Sequence, residues 1–351
     1  MPSATPVTLS STPADPALLA AVPHAAQEVP SVADRLALAS ELGRRTSAPG
    51  QGTTRALWEL LATLGAADLT LARTVEPHLD ALGILAQLPE QERPRTTGDE
   101  VWGVYAAEGP GMRMTAEPSD DGWALTGSKP WCSLADQVSH ALITAVAPEG
   151  GRRLFAVDLG DPGVRREEHG WVSRGLADVP SMPIHLEHVP AQPVGGTGWY
   201  LERPGFAWGG IGVAAVWHGG LVGVARRLLA QAAQRELDQV GQMHLGAMDA
   251  LVQCSRRALA EAAELVDAGA ATGPAGRVLA LRTRQVVADA AAEAMTRAGR
   301  AMGPAPLALD EEHARRVADL TVYVRQEHAE RDQAALGREL LALTQADQGV
   351  W

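Results

Sequence analysis

Hydrophobic positions along the chain follow three different spacings. Between residues 31 and 98, leucines and alanines recur every three or four positions, which is the spacing of one face of an α-helix. One helix is expected to begin after Thr53 and Thr54 and a second at Asp68, because short polar side chains cap helix N-termini. Pro77 lies within the second helix and should kink or interrupt it, since proline lacks the backbone N–H that a helix uses.

From residue 99 to 198 the spacing changes to short apolar runs that are typical of β-strands. Four such runs, separated by glycine, proline and aspartate, lie at residues 123–127, 141–146, 154–159 and 182–186. Several short strands in succession predict a small β-barrel or sandwich. The glycine-rich residues 195–198 lack the strand-to-helix setting of a phosphate loop, so they are interpreted as a linker.

Helical spacing returns after residue 199 and continues to the end of the chain; Leu221, Ala225 and Leu228 illustrate its first stripe. Breaks near residues 274 and 304 predict about four helices, the number of a helical bundle. The predicted fold class is therefore α+β. Its parts are an N-terminal arm (1–30), an N-terminal helical domain (31–98), a central small β-barrel (99–198) and a C-terminal four-helix bundle (199–351).

Composition excludes several classes of protein. Of the 351 residues, 46% are hydrophobic and 21% charged, as in an ordinary folded protein. Two cysteines are too few for a disulfide scaffold, and no histidine or cysteine spacing predicts a metal site. A net charge of −12 argues against unspecific nucleic-acid binding.

Targeting features point to the cytoplasm. The longest apolar run, at residues 209–221, is shorter than a membrane span. The N-terminus lacks the basic start and uninterrupted apolar core of a signal peptide. We therefore expect a cytoplasmic protein that has neither a nucleic acid nor a membrane as its partner.

The most specific pattern lies between Gly122 and Asp136, which reads GWALTGSKPWCSLAD. It resembles the Gly-x-x-Leu-x-Gly-x-Lys-x-Trp-x-Thr/Ser…Ala-Asp signature of the acyl-CoA dehydrogenase superfamily. A second segment, from Gly175 to Pro190, is similar to the hairpin that precedes the family's C-terminal bundle. The resemblance covers nearly the whole chain. It implies the same three-part fold, FAD bound between subunits, and a homodimer or homotetramer.

Trp131 and Ser133 are the candidate contacts of the flavin ring. A tryptophan offers a flat aromatic surface to the isoalloxazine, and a small hydroxyl beside a turn suits its N5 edge. The resemblance implies these same roles, whereas a core tryptophan at a strand end is the alternative for Trp131. Val104 and Tyr105 begin the earlier segment with which the family touches the flavin, although its usual Thr-Glu-Pro is absent here.

Two further residues are candidates for the pyrophosphate end of FAD. The resemblance implies Arg235, which stands where the family has Arg-x-x-Phe-Gly, although the Phe-Gly is absent. A guanidinium can grip pyrophosphate oxygens, but a surface arginine on an exposed helix face explains this residue equally well. Gly303 ends the counterpart of the family's Gly-Gly-x-Gly turn.

The catalytic base is sought near the C-terminus. Dehydrogenation requires a carboxylate that removes a weakly acidic α-proton while a hydride moves to the flavin. The resemblance places Gln326 at the position of the family's glutamate, and an amide cannot accept that proton. A shift of one residue gives Glu327. The implied activity is α,β-dehydrogenation of an acyl-CoA or similar thioester, with an electron-transfer partner.

Two alternatives stay open. The resemblance also fits the two-component flavin monooxygenases, which use reduced FMN or FAD supplied by a flavin reductase as a co-substrate. His78 and His328 lie near the positions where that branch carries active-site groups, and a histidine pKa suits such work. Each histidine alone is also explained by a surface or core position. In the second alternative the chemistry is lost and the fold serves binding or assembly.

Overall fold

The computed structural model describes residues 5–120, 122–167, 169–234 and 236–346. The first part is helical: α1 (Pro16–Ala25), α2 (Val32–Arg45), α3 (Thr54–Ala67) and α4 (Leu69–Ala86), followed by a 3-10 turn (Glu90–Glu92). The second part contains β1 (Trp102–Tyr105), β2 (Met114–Ser119), β3 (Gly122–Ser133), β4 (His140–Val146), β5 (Arg152–Asp158), β6 (Val164–Arg166) and β7 (Ser181–Val194).

The third part is helical again. It consists of α5 (Trp199–Glu202), α6 (Pro204–Ala232), α7 (Gln239–Asp267), α8 (Gly273–Met302), α9 (Ala305–Leu309), α10 (Glu311–Tyr323), a 3-10 turn (Val324–Gln326) and α11 (Glu330–Gln345). This order of helices, sheet and helices confirms the predicted α+β fold class. The exact boundaries of the four predicted parts stay a prediction.

Helix starts follow local chemistry in part. Asp68 caps α4 as predicted, because its Oδ1 accepts a hydrogen bond from the Leu71 N–H at 2.9 Å. Thr53 precedes α3, but its side chain does not cap the helix. Asp267, at the end of α7, instead accepts hydrogen bonds from the N–H and hydroxyl of Thr54. The start of α3 therefore depends on a residue that is 213 positions away.

The predicted interruption at Pro77 is wrong, because α4 continues through it from Leu69 to Ala86. Proline removes one backbone hydrogen bond from the helix. Burial offsets this loss, since Val75 and Leu79, on either side of the proline, lie in the core. Tertiary packing of an apolar face contributes more to a protein helix than local propensity does.

The strands form one mixed sheet of seven strands in the order β1-β4-β2-β3-β7-β5, with β6 beside β7 and β4 also paired with β5. The strands of the predicted small barrel thus form a mixed sheet. Closure of that sheet into a barrel stays a prediction. β3 pairs antiparallel with β2 and β7, while β1 runs parallel to β4. The β3–β7 register shifts between Lys129 and Cys132. Such an irregularity locally redirects a side chain, and this one contains Trp131.

The described part of the predicted N-terminal arm, from residue 5 onward, packs against the helices. It contains α1, whose Leu18, Leu19 and Val22 are buried. Before α1, the Val7 N–H donates to Thr63 Oγ1 and the Leu9 N–H to Glu59 Oε1, both on α3. These contacts attach the described part of the segment to the core.

α6 is the central helix of the molecule and packs against α3 and α8. Contrary to the expectation from apolar run length, α6 is long and apolar enough to cross a membrane by length and composition. However, 67% of that stretch is buried inside the protein, as in the core helix of a soluble protein.

Candidate functional site

Trp131 lies at the register shift of β3 and has two unusual properties. Its side chain is 61% exposed, although both neighbours in the chain are buried. Its backbone φ is +59°, in the left-handed region that non-glycine residues rarely adopt. Conformations of this kind cost about 1–3 kcal/mol and cluster at ligand sites. The structure thus places an aromatic surface in solvent at the cost of backbone strain.

The loop that begins with Val104 and Tyr105 is attached to the same strand. The buried Lys129 Nζ donates to Glu108 Oε1 at 2.9 Å and to Thr144 Oγ1 at 2.8 Å. Tyr105 is buried, and its hydroxyl donates to the Ser133 carbonyl at 2.9 Å. Val104 packs against a small apolar cluster beside the sheet. Both residues contact protein, and Tyr105 fixes the backbone at the end of β3.

Ser133 is buried and already hydrogen-bonded. Its Oγ accepts from Arg73 Nη2 at 2.9 Å and lies 2.7 Å from the Oγ of Ser181. Arg73 is on α4, so this contact joins the sheet to the first helical part. Its guanidinium also lies 3.4 Å from Glu76 Oε2. The candidate flavin residue is therefore connected to a buried ion pair.

Glu76 occupies the centre of this group. Its carboxylate is buried and accepts a hydrogen bond at 3.3 Å from the hydroxyl of Tyr323, at the end of α10. Burial raises the pKa of Glu76 to about 7, while the guanidinium of Arg73 opposes the rise. A carboxyl group with a pKa near neutrality can both take up and release a proton at physiological pH.

More charges follow one turn further along α4. Burial raises the pKa of Asp80, and the nearby guanidinium of Arg203 opposes the rise. Arg203 itself is buried over the ring of Tyr200, with 5.1 Å between guanidinium carbon and ring centroid. Arg284 of α8 lies 4.8 Å from the Trp217 ring centroid. The inner face of α4 therefore carries two carboxylates among the guanidinium groups of Arg73, Arg203 and Arg284.

Sequence reasoning missed Arg73 and Glu76. A signal existed, because an arginine and a glutamate three positions apart interrupt an otherwise apolar helical stripe in Leu69–Ala86. That spacing alone is also typical of an exposed ion pair. Only the contacts with Ser133 and Tyr323 separate the two interpretations.

The predicted catalytic residues near the C-terminus lie beside Arg284. The backbone carbonyl of Gln326 accepts a hydrogen bond from Arg284 Nη2 at 2.7 Å, while the residue itself is exposed. Glu327 Oε2 accepts from the Ala329 N–H at 2.9 Å. Its Oε1 is buried and has no hydrogen-bond partner among the described residues. Arg284 interacts electrostatically with both Glu327 and Glu76, so the candidate base from the sequence lies near the buried carboxyl group of α4.

The two candidate histidines have different surroundings. His78 is buried, and its Nδ1 accepts from the Trp102 N–H at 3.3 Å. Burial, together with the charge of Arg44, lowers the pKa of His78 to about 4. His328 is exposed and lies 3.4 Å from Asp332. His78 is thus neutral at pH 7, and its Nδ1 is already hydrogen-bonded to the backbone of β1.

The candidates for the pyrophosphate end are less defined. Gly303 follows α8 with a φ of +72°, and its N–H donates to the Gly299 carbonyl. Arg235 lies outside the described residues. Two cavities of about 750 and 370 Å³ occur at the far end of α6, and no described candidate residue lines either of them. Within the described ranges, no group of three His, Cys, Asp or Glu residues could hold a metal ion.

Comparisons with known proteins identify the fold. No family model matches the chain, and no curated protein matches it. Several solved structures match the chain. Butyryl-CoA dehydrogenase from Megasphaera elsdenii is 19% identical with a TM-score of 0.72, over 82% of each chain. An FAD complex of PigA is 18% identical with a TM-score of 0.77, over 91% of each chain.

A third similar structure is TdsC from Paenibacillus sp. A11-2, in complex with FMN and indole. It is 16% identical with a TM-score of 0.76, over 93% of this chain and 98% of that one. At such low identities the likeness establishes the fold alone. The chain has the fold of the acyl-CoA dehydrogenases as a divergent example, and proteins with this fold include both acyl-CoA dehydrogenases and TdsC- and PigA-like proteins.

Proposed function

We propose that the chain is a flavin-dependent oxidoreductase that binds the isoalloxazine ring against Trp131, with Ser133 at its N5 edge. One observation carries the proposal. An exposed tryptophan is held in a strained conformation two residues before a serine that contacts a buried arginine–glutamate pair. Strained residues next to buried ionisable groups are typical of ligand sites. Support also comes from PigA, solved with FAD, and TdsC, solved with FMN.

The residues present fit such a cofactor, which we propose to be FAD. Trp131 provides an apolar surface, and the Arg73 guanidinium beside Ser133 favours negative charge near this edge. When bound, the flavin supplies the hydride acceptor. Tyr105 positions Ser133 through its carbonyl, and Val104 packs behind it. Arg235 and Gly303 are proposed for the pyrophosphate end, on the resemblance alone.

Glu76 is our proposed proton acceptor. It is buried beside Arg73, its pKa lies near 7, and the Tyr323 hydroxyl orients one carboxylate oxygen. Glu327, the candidate from sequence, is the second proposed base because it has a buried carboxylate oxygen without a partner among the described residues. The side-chain amide of Gln326 cannot accept a proton as a base. The exposed His328 and the neutral His78 are not needed for this step.

As the reaction we propose α,β-dehydrogenation of an acyl-CoA or similar thioester, since butyryl-CoA dehydrogenase shares the fold. An electron-transfer partner would reoxidise the flavin. We further propose a homodimer or homotetramer in the cytoplasm.

A flavin monooxygenase is the second candidate function. It is favoured by the likeness to TdsC, which extends over 98% of that chain. Reduced FMN or FAD from a flavin reductase would then be a co-substrate. A role for His78 in stabilising an anion is disfavoured, because its low pKa keeps the ring neutral. Binding or assembly without chemistry is the outcome if no flavin binds.

Flavin retention tests the proposal. Purified protein should show a flavin absorption spectrum, and Trp131→Ala combined with Ser133→Ala should lower the flavin content at least about tenfold, since both ring contacts are lost. Trp131→Phe with Ser133 intact is the control and should retain flavin. Unchanged flavin content in the double variant, or protein that cannot be reconstituted with FAD or FMN, contradicts the proposal.

The reaction is tested on the flavin-loaded protein. Bleaching by butyryl-CoA without oxygen supports the dehydrogenase. Oxygen-dependent product formation with reduced flavin supports the monooxygenase.

A further inference from the structure

The larger cavity, of about 750 Å³, is lined neither by Trp131 or Ser133 nor by the side chains bonded to Ser133. Its wall combines the start of α10, the C-terminal half of α6, and the junction of α3 and α4. This volume is in the range of small-molecule sites. We call it the α3–α6–α10 cavity. Its apolar lining includes Ala66 of α3 and Ala230 of α6.

The charges that line this cavity do not balance. Four arginines and three acidic residues line it: Arg226, Arg227, Arg315, Arg316, Asp68, Asp310 and Glu312. The acidic residues are each paired with one arginine, in the pairs Arg227–Asp310 at 2.6 Å, Arg315–Asp68 at 2.7 Å and Arg316–Glu312 at 2.8 Å. Arg226 is the one arginine of this set that forms no ion pair with a described carboxylate.

Arg226 also forms few hydrogen bonds within the protein. Among the described residues it donates to a single acceptor, the Pro6 carbonyl, at 3.3 Å. A guanidinium has five N–H donors. Burial lowers the pKa of Arg226, and the neighbouring charge of Arg316 lowers it further. Two guanidinium groups that repel each other at a cavity wall are stabilised when an anion lies between them.

Arg316 is held firmly in place. Its Nη1 donates to the Ala66 carbonyl at 2.7 Å, and the side chain packs on Gly223, where a larger residue would displace it. Its partner Glu312 has a side chain that is 69% exposed. Arg316 is therefore a preorganised cation with one solvated counter-charge.

A second feature of the cavity wall is a buried imidazole. His313 lines the same cavity and is 2% exposed. Its Nδ1 is buried without a hydrogen-bond partner among the described residues. A buried polar atom left unpaired costs free energy, so His313 carries an unsatisfied ring nitrogen beside the cavity wall.

We propose that the α3–α6–α10 cavity binds a small organic anion, whose carboxylate or phosphate group lies between Arg226 and Arg316 and whose apolar part packs against Ala66 and Ala230. The alanines favour an organic occupant, because they offer apolar area that an inorganic ion cannot use. Trp131 and Ser133 do not line this site, whereas Gln234, the neighbour of Arg235, does.

Phenyl phosphate is the probe, measured by isothermal titration calorimetry on the full chain at physiological ionic strength. We expect binding with one site per chain, weaker binding of inorganic phosphate, and no binding of phenol. Arg226→Gln should raise the dissociation constant at least about tenfold, because a charge-assisted contact is lost. Benzoate in place of phenyl phosphate distinguishes a carboxylate from a phosphate preference.

Arg256→Gln is the matched control. Arg256 of α7 donates to the Leu9 carbonyl at 2.6 Å, as Arg226 does to Pro6, but does not line the cavity. It should change the dissociation constant less than about twofold. Ala230→Glu is a second variant, which leaves both arginines in place and should abolish binding by charge repulsion. It keeps the proposal testable if Arg226→Gln does not fold by circular dichroism.

Equal affinities of wild type and Arg226→Gln, or of wild type and Ala230→Glu, overturn the proposal. So does the absence of phenyl phosphate binding at millimolar concentration. Inorganic phosphate that binds as tightly as phenyl phosphate overturns the organic part. Flavin content should be unchanged in Arg226→Gln; a loss would mean that the cavity belongs to the flavin site instead.

Discussion

Glu76 and Glu327 are two carboxylates that share Arg284 as a neighbour. They differ in burial and in their hydrogen-bond partners. Glu76 is buried between Arg73 and Tyr323, and burial raises its pKa to about 7. Glu327 is partly exposed, and the Ala329 N–H already donates to one of its oxygens. A base works best when its pKa lies near the working pH. This comparison favours Glu76.

The first residue-scale prediction concerns these carboxylates. Glu76→Gln should lower kcat about 10²–10⁴-fold, because the amide has no basic oxygen. Glu327→Gln, the matched variant, should lower it less than about tenfold. In the wild type, kcat should rise with pH through about 7 as Glu76 loses its proton. Steady-state kinetics with butyryl-CoA measure kcat for both variants. If kcat falls further in Glu327→Gln than in Glu76→Gln, Glu327 is the base.

The strained backbone of Trp131 lowers the stability of the folded protein. Trp131→Gly should raise the free energy of unfolding by about 1 kcal/mol, because glycine adopts a φ of +59° without strain. Little burial is lost, since the side chain is 61% exposed. Flavin content should fall in the same variant. Urea unfolding checks the gain, with Trp131→Asn as a second residue that tolerates this backbone region. A destabilised Trp131→Gly would show that the indole supports the fold.

His78 predicts a pH dependence of stability. Its pKa is about 4 in the folded protein and near 6.5 when unfolded, so the unfolded chain binds the proton more readily. This contribution to stability is complete above pH 6.5 and is lost as the pH falls towards 4. Between pH 7 and 5 the loss should be about 2 kcal/mol. In His78→Asn, which can still accept from the Trp102 N–H, urea unfolding should show a smaller loss; an equal loss contradicts this assignment.

At the scale of elements, the crossing of α3 and α6 depends on glycines that bring two backbones into contact. A Cβ at Gly219 would overlap the Ala62 carbonyl, and one at Gly65 would overlap the Val216 carbonyl. The two helices therefore approach more closely than larger residues permit. Since α3 and α4 are joined directly at Asp68, this crossing also positions the helix that carries Glu76.

The element-scale prediction uses two helix glycines. Gly219→Ala should lower the free energy of unfolding by about 1–3 kcal/mol, because the helices must separate. Gly299→Ala in α8 meets open space and should raise it by up to about 1 kcal/mol, since alanine favours helix. Denaturant melts of both variants check this pair. The reverse order of stabilities would contradict the close crossing.

At the scale of the whole molecule, the site joins parts that are distant in the chain. Ser133 comes from the sheet, Arg73 and Glu76 from the first helical part, and Tyr323 from the last. The contacts span 60 residues between Arg73 and Ser133 and 247 between Glu76 and Tyr323. The fold is shared with PigA, solved with FAD, and with TdsC, solved with FMN and indole. The fold alone therefore does not specify the ligand or the reaction.

Local patterns in the sequence determined the order of helices, sheet and helices and the cap at Asp68. These features depend on residues a few positions apart, and periodicity and capping chemistry report them directly. Trp131 and Ser133 were singled out by the resemblance of their segment to a family signature, and their flavin role stays a prediction. Tertiary structure alone decided that α4 continues through Pro77, that Trp131 is strained, and that Arg73 and Glu76 reach Ser133 and Tyr323. Burial sets the pKa of Glu76, and burial is a property of the packed molecule.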